Sequence, residues 1–151
     1  MEYIAFINWL TKYKIPPDAS IIEQIRGYRE ALHHLCEVQT WERINIILAV
    51  PIKINPPTGN LSIPFYEYLI FQGLYRELLE LSQEIIKSLE NTGNNLNSII
   101  LLKGRGLVGT GQLREACQVF EELRANATEG SEIYIEATVR LATAQIQAGR
   151  Y

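Results

Sequence analysis

The chain has 151 residues, 47% of them hydrophobic and 21% charged, with a formal net charge of −3. That balance suits an ordinary globular protein with a sizeable core and argues against disorder. The charge is slightly acidic and no Lys/Arg-rich run occurs, so nucleic-acid binding has no electrostatic footprint. The longest apolar runs, such as Ile44 to Ile52, are too short to span a bilayer. Met1 to Tyr13 lacks the basic start and small-residue cleavage site of a secretion signal, so a cytoplasmic location is expected, with no membrane partner. Cys36 and Cys117 stand alone without CxxC spacing, and both read as reduced, buried thiols.

In chain order, Tyr3, Phe6, Ile7 and Leu10 predict an apolar helix within Met1 to Tyr13, closed by Pro16-Pro17. Ile21, Ile25, Tyr28, Leu32 and Leu35 recur at steps of three and four, and Ser20 with Glu23 has the spacing of a capping box. Trp41, Ile44 and Leu48 mark the next helix, which must stop before Pro51. Pro51 to Ile63 contains Pro56-Pro57-Thr58-Gly59-Asn60 and predicts a loop that leaves the following helix, Pro64 to Gln72, short. Leu74, Leu78, Leu81, Ile85 and Leu89 form a strong helical stripe. Ser98 to Val108 is helical, Leu113, Ala116, Phe120 and Leu123 repeat the stripe, and Ser131 to Gln147 closes the series. Sustained period-two alternation is absent from the sequence, and the fold class expected is all-α.

A repeat organises these helices. Gly73, Gly111 and Gly149 are evenly spaced, and Gly73-Leu74-Tyr75-Arg76-Glu77-Leu78 reads like Gly111-Gln112-Leu113-Arg114-Glu115-Ala116. A fixed period in the range of roughly 20–50 residues signals stacked supersecondary units that cannot bury their apolar faces alone. The glycines suit a left-handed exit from the first helix of each pair, and small residues such as Gly104, Ala116 and Ala142 would let facing helices approach closely.

The set Gly104, Gly111, Leu113, Ala116 and Phe120 resembles a tetratricopeptide repeat. Ala142, Gly149 and Tyr151 begin another copy, and Gly73, Tyr75 and Leu78 represent the one before. Tyr28, Leu35, Trp41, Ile44 and Leu48 form a degenerate first copy, in which Trp41 precedes Tyr75 by the family's usual repeat length. The resemblance implies an α-α superhelix of antiparallel helix pairs, a single repeat domain over 1–151 with about three and a half repeats. Leu32 and Tyr66 depart from it by filling positions where a small residue is expected. The glycine interval, longer than the family's usual repeat, and phrases such as Gly73 to Leu81 are also similar to the sensor regions of large bacterial, especially cyanobacterial, signal-transduction ATPases. That likeness, and the unpartnered helix before Tyr151, would make the chain a fragment of a longer protein or a homodimer joined through its C-terminal helix.

Catalytic readings have less behind them. Gly104-Arg105-Gly106-Leu107-Val108-Gly109 satisfies GxGxxG after the apolar run Ile99 to Leu102, but a dinucleotide site needs a strand before the glycines and a second strand carrying an acid. Glu129 and Glu132 have no such strand. The expectation is a helix and its turn over Gly104 to Gly111, with no ligand pocket beneath, although three helical glycines cost about 3 kcal/mol against alanines. Glu30-Ala31-Leu32-His33 has ExxH spacing beside His34, Cys36 and Glu37, but a di-iron bundle needs a second such motif. No catalytic residue, metal or cofactor is assigned.

The resemblance instead implies binding. First helices of each pair would line a concave groove holding Arg26, Arg29 and His33, then Glu67, Ile70 and Phe71, then Arg105 and Val108, then Val139, Arg140 and Thr143. The family's carboxylate-clamping set is not reproduced. A mixed basic and apolar groove suits a protein or peptide with acidic and hydrophobic groups. A structural spacer or oligomerisation element with an empty groove stays open beside it.

Overall fold

A computed structural model of the chain describes residues 19–54 and 61–149. The helix expected within Met1 to Tyr13, its Pro16-Pro17 terminator, the Pro56 to Asn60 cluster, and Arg150 and Tyr151 lie outside the described residues. Seven helices and one two-stranded sheet are described: α1 Ile21–Glu37, α2 Trp41–Leu48, β1 Pro51–Ile54, β2 Leu61–Pro64, α3 Phe65–Phe71, α4 Tyr75–Leu89, α5 Asn97–Gly109, α6 Leu113–Asn126 and α7 Glu132–Gln147. The chain divides into two compact units, Met1–Tyr68 and Leu69–Tyr151.

In the first unit, α1 packs against α2. Ser20 caps α1 as its spacing predicts, its Oγ accepting from the Glu23 N–H at 3.3 Å. Ile25, Leu32 and Leu35 of α1 are buried, as are Ile44, Ile47 and Leu48 of α2. Tyr28 stacks on Phe65 with ring centroids 5.0 Å apart.

Pro51 to Ile63 corrects the sequence expectation. Its two ends are not irregular but pair as antiparallel strands, Pro51 opposite Pro64 and Ile52 opposite Ile63. Prolines at both outer ends are tolerated because a terminal strand residue need not donate to the ladder. The short helix expected after this segment is α3.

The second unit is a run of antiparallel neighbours. α4 packs on α5, α5 on α6 and α6 on α7, while α5 also touches α7. That last contact, between alternate helices, is what stacked helix pairs produce and gives the unit a solenoid-like arrangement. Leu101, Leu107, Ala116, Phe120, Leu123, Ala137, Leu141 and Ala144 form one buried cluster across α5, α6 and α7.

One turn recurs between paired helices. Gly73 and Gly111 have φ of +71° and +80°. At each turn the glycine N–H donates to a carbonyl three residues back, and the next N–H donates five back: Leu74 to Leu69 and Gln112 to Leu107, both at 2.8 Å. These are Schellman caps, which satisfy the last helical carbonyls. The turn after α1 has the same pattern, with Thr40 N–H donating to Leu35 at 3.3 Å and Gln39 at φ +53°. Gln39 precedes Gly73 by the same interval that separates Trp41 from Tyr75, so a non-glycine residue occupies the left-handed position of the degenerate first copy. All three joints, α1 to α2, α3 to α4 and α5 to α6, are three residues long.

Candidate functional site

The glycine-rich run lies within α5, and so does Ile99 to Leu102, where a dinucleotide site would need a strand. Each glycine admits a neighbour that a Cβ would displace. The Phe120 ring of α6 occupies the space beside Gly104, and the Tyr75 ring of α4 that beside Gly109. A Cβ on Gly106 would lie 3.1 Å from the Leu79 backbone. These contacts answer the propensity cost of all three glycines, since α5 is approached on two sides by its neighbours.

Between the glycines, Arg105 and Val108 are half-buried and face an opening in the second unit. This corrects the expectation of no pocket along Gly104 to Gly111: a pocket of about 200 Å3 lies there, lined by side chains rather than by glycine backbone. Arg105 and Val108 form one wall, and Arg140, Thr143 and Gln147 of α7 form the other. Ile70 of α3, Tyr75 of α4 and Phe120 of α6 complete it.

The electrostatics are set by Arg140. Its Nη2 lies 3.6 Å from Glu136 Oε1, one turn earlier on α7, while its Nε is buried with no hydrogen-bond partner among the described residues. A buried donor left so costs about 1–3 kcal/mol. The lining also supplies the Thr143 hydroxyl, already donating to the Val139 carbonyl at 3.0 Å, and the Gln147 amide.

Of the eleven residues expected to line a groove, Ile70, Arg105, Val108, Arg140 and Thr143 line this pocket. Phe71 is 61% exposed and does not line it. Val139 is not among the residues lining the pocket and lies on an exposed stripe with Ile135 and Ile146. Ala142 lies on that stripe and is exposed too, so it makes no close helix contact of the kind Gly104 makes.

Arg26, Arg29, His33 and Glu67 belong to the first unit. Arg26 lies 3.8 Å from Glu23. His33 and His34 both approach the Glu37 carboxylate, at 3.4 and 3.6 Å, so the histidines of this segment face a neighbour on α1 itself. No group of three potential metal ligands occurs among the described residues. Cys36 and Cys117 are both buried and neither is in a disulfide, and no described helix is long and apolar enough to cross a membrane.

Sequence reasoning missed Tyr75, Phe120 and Gln147 as pocket residues. Tyr75 and Phe120 read from the sequence only as members of their repeat copies, and nothing in the spacing of Gln147 marks it. Compared with protein-family models, curated proteins and solved structures, the chain matches none; its helices, packed mostly in sequential pairs, suit a helical-repeat or bundle protein.

Proposed function

We propose that the chain is a non-catalytic scaffold of tetratricopeptide-like repeats that binds a protein or peptide along the face of the first helices of its pairs. One observation carries this reading: equivalent repeat positions contribute to one pocket. Ile70 and Val108 are separated by the same interval as Gly73 and Gly111, and so are Arg105 and Thr143; all four of these side chains line the pocket. A surface built from the same register position of successive helices is how repeat proteins make a continuous binding face. The mixed lining, two arginines over aromatic and aliphatic side chains, suits an acidic and apolar segment. The likeness to sensor regions of bacterial signal-transduction ATPases gives such a face a role as the ligand-sensing part of a larger chain.

Selection of a displayed random-peptide library on the full chain tests this. Enriched peptides should compete with one another and lose binding to an Arg105→Glu variant that keeps its helical content. Failure to enrich any peptide, or enrichment insensitive to that substitution, refutes the groove reading.

The exposed stripe of Ile135, Val139 and Ile146, each more than half exposed, favours a second reading, an oligomerisation element that pairs α7 with another copy. Apolar stripes of this kind invite association. Light scattering over a concentration series separates the two readings, because only the second requires the mass to rise.

A further inference from the structure

The polar side chains around the pocket of the second unit are already engaged within the chain. Arg140 lies 3.6 Å from Glu136, and Arg105 has an interaction partner as well. The Thr143 hydroxyl donates to the Val139 carbonyl at 3.0 Å. The Arg140 Nε lacks an acceptor among the described residues but is buried, so it is not open to a ligand. A charged group entering here would lose hydration without meeting a free counter-charge, which disfavours it.

What the pocket leaves uncovered is apolar. Ile70, Tyr75 and Val108 are only half-buried, and with the Phe120 ring they line one opening. Covering such surface is favourable in proportion to the area removed from water, and aromatic rings add packing preferences of their own. A volume of about 200 Å3 is below the roughly 300–1,000 Å3 of pockets that enclose a whole small molecule, so the space fits one large side chain.

We infer that this pocket anchors a bound peptide by one large uncharged apolar side chain, of leucine or phenylalanine size, seated against Ile70, Tyr75 and Val108. The inference rests on the peptide-binding reading and assigns this pocket to the apolar rather than the acidic part of the bound segment.

The test follows the Ile, Val and Thr methyl resonances of the isotope-labelled full chain by NMR. The probes are blocked tripeptides with leucine, phenylalanine, alanine or glutamate between two serines. The leucine or the phenylalanine peptide should shift the Ile70, Val108 and Thr143 methyl signals and bind about tenfold more tightly than the alanine peptide, a factor within what burying the extra carbons supplies. That affinity should hold between roughly 0.05 and 0.5 M salt, because no screened charge carries it. Thr143 is exposed, so Thr143→Trp should keep the fold, fill the opening, and weaken the tighter peptide by about the same factor. If that variant melts differently from the parent, the comparison with the alanine peptide on the unaltered chain decides alone. Equal affinity for leucine, phenylalanine and alanine, tighter binding of glutamate, a steep loss of affinity with salt, or no shift of the pocket methyls overturns the inference. Library peptides that bind through Arg105 without needing a large apolar residue would overturn it and leave the groove reading standing; a library yielding no binders would remove both.

Discussion

Replacing Gly104 with alanine sets two effects of known size against each other. Within a helix interior, glycine to alanine gains about 1 kcal/mol from backbone entropy and propensity. Gly104 lies inside α5, so on local grounds the variant should be more stable. Tertiary packing points the other way: the added Cβ would collide with the Phe120 ring, whose Cδ1 would lie only 3.0 Å away. Phe120 is fully buried, so its ring can yield only by turning toward the pocket that it lines or by a separation of the α5 and α6 backbones. Overpacking of this kind costs about 1–3 kcal/mol, and subtracting the propensity gain leaves a net loss of up to about 2 kcal/mol. Urea denaturation of Gly104→Ala, Phe120→Leu and the double variant measures it. The smaller Phe120→Leu side chain should tolerate the methyl, so the double variant should be more stable than the sum of single effects predicts, by roughly 0.5–3 kcal/mol of coupling. Stabilisation by Gly104→Ala alone, or strict additivity, would refute the close approach of α5 and α6.

Gln39→Gly should stabilise the chain by about 0.5–1 kcal/mol, because the left-handed cap costs a residue with a Cβ about 1–2 kcal/mol and glycine returns part of that as unfolded-state entropy; a lower denaturation midpoint would count against it. Ala116→Leu should lose about 1–3 kcal/mol and more than Cys117→Ala, since Ala116 is fully buried in the cluster holding Phe120; chemical denaturation ranks the two. Ile146 is 63% exposed, so Ile146→Glu should change stability by less than about 0.5 kcal/mol and lower the mass that light scattering reports at high concentration. An unfolded Ile146→Glu variant would mean that the stripe is covered within the chain.

The helices were legible because their burial follows the α-helical period. Ile25, Leu32 and Leu35 are buried where the stripe placed them, and Gly73 and Gly111 cap helices where the even glycine spacing placed them. The hairpin was not legible. Its strands are four residues each, bounded by Pro51 and Pro64, too short to impose an alternating pattern, and prolines ordinarily argue against a ladder. Gln39 was hidden for a related reason, since its left-handed backbone comes from the Schellman hydrogen bonds and leaves no glycine to read. Within the site, Arg105 and Arg140 could be placed from the repeat register. The separation of Val139 from Arg140 could not, because adjacent residues on a helix differ by about 100° and only the packing of α7 decides which of them faces the pocket.

The three-residue joints differ in tolerance from the other connections. One residue inserted at Thr110 to Gln112 would rotate the start of α6 by about 100°, turning Ala116 and Phe120 out of the cluster they share with α5 and α7. The connection from α4 to α5 has no such constraint, because Glu90 to Asn95 are all exposed and lengthening a flexible loop twofold costs only about 0.6 kcal/mol. Fusion tags, reporter domains or new chain termini introduced by circular permutation therefore belong between Asn91 and Asn95. There they would leave α5 and α7, and the arginines those helices carry, in register.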